Sequence, residues 1–408
     1  MLTQQRASAD PVTLARISVS PLAAETDGPS GAPLISADGS TVVFQSAADN
    51  LVAGDTNGDD DVFAAPATGG SPQLISQAPD GEPADGSSTP LAISADGRFV
   101  VFASTADNLG AVVPHGIVEI YVFDRETGGT DLVSKATTGA AGNRSSGGAA
   151  ISADGRYVAF ASAASNLVPS DTNGAVDVFV RDRLHGTTGR VDVGARGVQA
   201  NGAADPQVVS MSADGSVIAF SSAATNLVPR DINGQWDVFV RYRPKGLTSR
   251  ISTPQPGVSG TGRSLFPSVS ANGNMVAFES LAPLMRGDTA GSWDIFIRNR
   301  ATGGLTRVPV PSAGPPQISA NGTTVGFLTA AVPLVPTRSV GVVTWNRLTY
   351  EADPATVDAA GDSSTGHATA FSIDGNGGEV AFATDASDLL PGDVNGMPDV
   401  YVHLSPDE

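Results

Sequence analysis

Four stretches of the chain place oxygen-bearing side chains at positions 1, 3 and 7 of a loop, with glycine at position 4. They are Asp55, Asn57 and Asp61; Asp171, Asn173 and Asp177; Asp231, Asn233 and Asp237; and Asp393, Asn395 and Asp399. A decayed copy keeps Asp288 and Asp294 but has Ala290 in the asparagine place, and the first copy adds Asp59 and Asp60. Carboxylate and amide oxygens suit a hard cation, and glycine permits the sharp bend that curls a loop around one. The pattern therefore predicts calcium in several of these loops, with the first and most acidic copy favoured. The spacing departs from calcium loops of the D-x-[DN]-x-[DN]-G type, because glycine arrives two positions early and no glutamate follows to give a bidentate contact. Water or a neighbouring loop must then complete a shell of about six to eight oxygens. The same residues also suit a corner without metal, since Asp at a turn accepts amide hydrogens two residues on and Asn-Gly is a preferred hairpin corner. Two partly buried carboxylates without a counter-charge repel each other, which favours the cation wherever they converge.

Other chemistry is sparse. The chain has no cysteine, which excludes disulfides, thiolate catalysis and thiolate-bound zinc. Its four histidines, His115, His185, His367 and His403, have no H-E-x-x-H spacing, and no G-x-S-x-G elbow is present. His367, just before a strand that lines the centre, is the histidine placed to meet a ligand. Trp236 and Trp293 stand at equivalent positions just before the last Asp of two neighbouring loops, where an aromatic ring stacks on a sugar or packs on the next loop. Arginine pairs two residues apart, Arg181 with Arg183, Arg241 with Arg243 and Arg298 with Arg300, are expected to meet acidic turns or solvent.

The elements that must position these loops repeat. "ISADGSTVVFQS" at Ile35 returns in variant form at Ile93, Ile151, Met211, Val269, Ile318 and Phe371, spaced by 58, 58, 60, 58, 49 and 53 residues. Short Val/Ile/Phe runs that alternate with period two, punctuated by 47 Gly and 28 Pro, read as strands joined by turns. In the third unit the strands are expected at 149–152, 157–162, 178–181 and 190–193. Four short antiparallel strands repeated seven times predict an all-β, seven-bladed propeller over residues 13–408. The last unit ends after its third strand, and "TLARISVS" near the start resembles a fourth strand with no unit before it. Residues 13–18 should thus complete the last blade and remove both open sheet edges. Residues 1–12 are left as a polar leader, whose Ala7-Ser8-Ala9 resembles the end of a signal peptide.

"ISADGRYVAFAS" followed by "DVFVRDR" and a strand like "TSRIS" resembles the TolB-like, or WD40-like, propeller repeats over nearly all of residues 13–404. The resemblance implies the fold firmly, but propellers of this kind serve as interaction platforms, as accessory domains of peptidases and as polysaccharide lyases, so it implies no one activity. A net charge of −19 and a pI near 4.4 argue against nucleic-acid or anionic-membrane binding and favour cations or basic partners. No apolar stretch is long enough to span a membrane. The central strands carry no charged group, where acid–base chemistry would need one within reach of a substrate. The expectation is a non-enzymatic, monomeric propeller outside the cytoplasm, secreted or periplasmic, that binds calcium and presents a rigid surface to a protein or glycan. The alternative is a hydrolase or polysaccharide lyase acting at the central channel.

Overall fold

The Ser-Ala-Asp-Gly segments fold into the corners they predict. In the third unit the Asp154 carboxylate accepts the Ser152 hydroxyl at 2.6 Å and the Arg156 amide at 3.0 Å, while the Ser152 oxygen accepts the Tyr157 amide at 2.9 Å. Gly155 has φ +71°, and a Cβ there would stand 2.1 Å from the Phe99 ring of the preceding unit. The backbone conformation and the close approach both demand glycine.

The computed structural model describes residues 13–20, 25–288, 291–311, 314–330, 340–358 and 360–404. The leader expected over residues 1–12 and Ala290 lie outside them. The third unit is an antiparallel sheet of Ser146–Ile151, Tyr157–Ser162, Asp177–Asp182 and Thr187–Arg190. Its outer strand begins at Thr187 and not at 190, because Gly186 at φ +64° turns the chain straight into pairing. After Arg190 the chain leaves the sheet, and Val193 bridges Gln199 on the way to the next unit.

Seven such four-stranded sheets follow one another among the described residues. Blades 1 to 6 span residues 30–74, 88–132, 146–190, 204–250, 264–307 and 317–354. Blade 7 combines Ala368–Ile373, Val380–Thr384 and Asp399–Leu404 with Thr13–Arg16 from the other end of the chain. Thr13 pairs with Leu404 and Arg16 with Tyr401, so the ring closes as the two ends of the sequence predict.

Apolar side chains fill the slots between blades. One cluster packs Val42, Phe44 and Phe63 of blade 1 against Ala381, Val400 and Val402 of blade 7, and equivalent clusters fill the other six slots. Within blades, aromatic rings of the second and third strands stack, as Phe160 does on Phe179 with centroids 5.8 Å apart. The second arginine of each "RDR"-type pair meets the Asp-Gly or Asn-Gly turn of its own blade through a backbone carbonyl, and in blades 3 and 4 it also reaches an aromatic ring of the preceding blade. Arg183 donates to the Gly155 carbonyl at 2.7 Å with its guanidinium 4.8 Å from the Phe99 ring centre, and Arg243 donates to Gly215 at 2.7 Å and lies 4.0 Å from Tyr157.

At this turn end, backbone amides bond from blade to blade around the axis. Asp38 donates to Ala95, Ala153 to Ala213, Ala213 to Ala271, Ala271 to Ala320, Asn321 to Gly375 and Gly375 to Ala37, at 2.8 to 3.1 Å. The connections between second and third strands, which carry the acidic loops, emerge at the opposite end of every blade.

Candidate functional site

The asparagines of the acidic loops form hydrogen-bonded corners. In blade 1 the Asn57 side chain donates to Asp61 Oδ2 and to the Ala84 carbonyl, both at 2.8 Å, while its Oδ1 accepts the Asp59 amide at 2.9 Å. Asn173 repeats the pattern with Asp177 at 2.8 Å, Ala200 at 3.2 Å and the Ala175 amide at 3.1 Å. Asn233 donates to Asp237 at 2.9 Å and accepts from Gln235 at 3.0 Å; Asn395 donates to the Thr26 carbonyl at 3.1 Å and accepts from Met397 at 2.8 Å. Each asparagine thus fixes its own turn, and in blades 1, 3 and 7 also ties the loop to the connection entering the next blade.

The last Asp of each loop opens the third strand and is buried: Asp61, Asp177, Asp237, Asp294 and Asp399. A serine just beyond the outer strand serves it in three blades. Ser76 donates to Asp61 at 2.5 Å, Ser252 to Asp237 at 2.5 Å and Ser18 to Asp399 at 2.6 Å. In blade 3 the place belongs to Asp192, fully buried, whose carboxyl is pushed well above the usual range by burial and by neighbouring Asp177. Asp192 thus stands beside Asp177 where the other blades place a serine hydroxyl.

Sequence reading missed the arginines that meet these carboxylates. Arg190 lies 3.3 Å from Asp171 and 3.4 Å from Asp177, and Arg250 lies 3.0 Å from Asp231 and 3.2 Å from Asp237. Arg307 lies 3.9 Å from Asp288 and 2.7 Å from Asp294; Arg16 lies 3.4 Å from Asp399, while the Tyr401 hydroxyl donates to Asp393 at 2.8 Å. All four arginines stand at one outer-strand position, paired with the aromatic of the third strand: Arg190 with Phe179, Arg250 with Phe239, Arg307 with Phe296 and Arg16 with Tyr401. The signal was present in "TGRVD", "TSRIS", "LTRVP" and "LARIS", which carry arginine only in units with two acidic loop positions.

Blade 1 breaks the rule, since Leu74 pairs with Phe63 at this position. Asp55 is 4% exposed, and its Oδ1 has no hydrogen-bond partner among the described residues. Burial, and then the charges of Asp61 and Asp49, raise the Asp55 carboxyl to about 6. Asp61 is raised by burial too, and half-buried Asp59 accepts the Ser87 hydroxyl at 3.1 Å. Blade 2 also has leucine there, Leu132 opposite Tyr121, but Val113 replaces the first Asp and Glu119 the last. Burial raises Glu119 to about 7, and Ser134 donates to it. Blade 6 begins its third strand with Gly341 and carries Pro354 opposite Val343. Among the described residues no three His, Cys, Asp or Glu side chains form a ready metal-ligand group.

Trp236 and Trp293 are half-buried on the acidic face. The guanidinium of Arg263 sits 5.2 Å from the Trp293 ring, and both line a cleft of about 430 Å³ with Leu265, Phe266, Glu279 and Pro315. Its Phe266 backbone has φ +56°, a strained conformation for a non-glycine residue. His367 is exposed on the acidic face, its amide donating to Asp385 at 2.6 Å. The opposite end of the same inner strand, Ala368–Ile373, reaches the axial cavity of about 260 Å³. That cavity is walled by Ile35, Ile93, Ile151, Met211, Val269, Ile318 and Ile373 and by the turn alanines. Asp374, its one titratable lining residue among those described, accepts the amides of Gly377 and Glu379 at 2.8 and 3.0 Å. No helix among the described residues is long and apolar enough to cross a membrane.

No family model and no curated protein matches the sequence. Solved structures do. The β-propeller domain of the Trilobed protease from Pyrococcus furiosus aligns with TM-score 0.57 and 12% identity over 93% of this chain and 97% of that one. Oligogalacturonate lyase from Vibrio parahaemolyticus aligns with TM-score 0.54 and 13% identity over 98% and 99%. TolB from Acinetobacter baumannii aligns with TM-score 0.43 and 17% identity over 79% of this chain, which spans 61% of the TolB chain. Identities this low show a shared fold alone. By fold the chain is a seven-bladed β-propeller, the architecture its TolB-like repeats imply.

Proposed function

We propose that the chain is a non-enzymatic propeller of the extracellular or periplasmic space, whose acidic face takes up calcium and presents a rigid surface to a protein or glycan. The contrast between its two ends carries this reading. The axial cavity is walled by aliphatic side chains, and its Asp374 is committed to turn amides. General acid–base catalysis needs a titratable group free to reach substrate. The acidic face instead gathers loops fixed by side-chain hydrogen bonds, and the cleft at Trp293 and Arg263. Loops already held in place lose little entropy on binding, and a ring beside a guanidinium suits a sugar or a peptide side chain.

The test is a panel of purified polysaccharides and peptides, read for binding by tryptophan fluorescence and for turnover by new reducing ends, unsaturated products or new amino termini, in calcium and in EDTA. Saturable binding without turnover, weakened at least tenfold by Trp293→Ala, is the expected result. Catalytic turnover by the purified chain would overturn it in favour of the hydrolase or lyase alternative.

A further inference from the structure

We propose that calcium binds at one place only, between Asp55 and Asp61 of blade 1, where a metal ion does the work that an arginine does in the other paired-carboxylate loops. This rests on the reading of the acidic face as calcium-binding and narrows it to a single site.

The seven blades are internal controls for one another. Where two acidic residues meet in the loop, in blades 3, 4, 5 and 7, the outer strand supplies Arg190, Arg250, Arg307 or Arg16. Where the pair is lost, in blades 2 and 6, the position holds Leu132 or Pro354. Blade 1 alone keeps both carboxylates and has no arginine. Leu74 is buried in the slot between blades 7 and 1 and brings no charge to the pair.

The second observation is Asp55 itself. It is 4% exposed, and its Oδ1 meets no donor among the described residues; the same atom of Asp171 accepts Gln199 at 2.9 Å and that of Asp231 accepts Arg250 at 3.0 Å, while Asp288 and Asp393, whose Oδ1 atoms also lack a hydrogen bond, have Arg307 at 3.9 Å and the Tyr401 hydroxyl on the other oxygen at 2.8 Å. A buried carboxylate oxygen without a donor is costly, and a cation removes that cost. Two carboxylates balance one divalent charge. Asp59 and Asp60 add negative charge beside Asp61, but no third carboxylate converges on the pair among the described residues, so water must supply most of the oxygen shell. Calcium, with its long and adaptable bonds, tolerates such an irregular set; magnesium requires near-octahedral geometry and does not. An affinity of about 10⁻⁴ to 10⁻³ M is the range of extracellular calcium modules.

The experiment is calorimetric titration of the metal-stripped full chain with calcium at pH 7.5, with magnesium as control. The expected result is one calcium per chain, at least 10-fold selectivity over magnesium, and loss of binding in both Leu74→Arg and Asp55→Asn. Leu74→Arg supplies the internal cation, so its unfolding midpoint in EDTA should equal or exceed that of the parent, which separates a lost site from a lost fold. No binding up to 10 mM calcium, or binding undiminished in Leu74→Arg or Asp55→Asn, overturns the proposal. Because the ligand and turnover panel is also read in EDTA, a missing calcium site leaves the platform reading standing, and turnover leaves the calcium site standing.

Discussion

Blades 1 and 4 spell nearly the same loop and bury the same pair of aspartates, yet they settle the charge differently. In blade 4 Arg250 reaches both Asp231 and Asp237, at 3.0 and 3.2 Å. In blade 1 Leu74 occupies that register, and one oxygen of Asp55 has no hydrogen-bond partner among the described residues. Blade 2 offers a third solution, with one acid, no arginine, and burial that raises Glu119 to about 7. The comparison teaches that the acidic loop is a shared scaffold, and that what neutralises it is decided one strand away.

The largest effect should come from making blade 4 resemble blade 1. Arg250→Leu leaves two buried carboxylates uncompensated, at a cost of about 3–5 kcal/mol of unfolding free energy in EDTA. Urea unfolding measures it, and millimolar calcium should restore part of the loss. A cost below about 1 kcal/mol would mean that the arginine is not the counter-charge.

The next largest concerns the proton in blade 2. Glu119 is raised from its ordinary value of 4.5 to about 7, so the folded state holds its proton more tightly than the unfolded state. Its contribution is full below about pH 4.5 and is lost as the pH climbs through about 7, up to about 3 kcal/mol in all. Glu119→Gln should flatten this slope between pH 4.5 and 8 in a series of thermal or urea unfolding curves. An unchanged slope would assign the pH dependence to other groups.

The smallest test sharpens what the two loops share. Ser76 and Ser252 make the same 2.5 Å bond to the last Asp of blades 1 and 4. Ser76→Ala and Ser252→Ala should each cost about 1–3 kcal/mol. In EDTA the Ser76 change should cost more, because Asp61 has no arginine to fall back on; equal costs would count against that difference.

Much of the fold was legible because its determinants are local. Asp154 and Gly155 specify their turn by hydrogen bonding and positive φ, and the unpaired ends of the chain specify the closing strand at residues 13–16. The outer strand of blade 3 was placed three residues late, since "RVDV" reads as a strand although the chain leaves the sheet at Arg190. The candidate site was half legible. Each loop announces its asparagine corner, but the counter-charge arrives from residues 13 to 19 positions beyond the last Asp or the first, as with Arg250 against Asp237 and Asp231, and for blade 7 from the other end of the chain. A cross-strand partner is fixed by sheet register, which a single loop motif does not contain. Asp192 was missed for the same reason, since only the fold buries it against Asp177.

The belt of turn amides around the axis has a mechanical consequence. Six backbone bonds join successive corners, from blade 3 through blade 7 to blades 1 and 2, with Gly375 to Ala37 bridging blades 7 and 1; none among the described residues joins blades 2 and 3. It works as a clasp open between blades 2 and 3: blades 4 to 7 and blade 1 cannot splay outward there without loading their neighbours on both sides. A polymer threading the hub would load that clasp, whereas a ligand arriving at the acidic face leaves it unstrained.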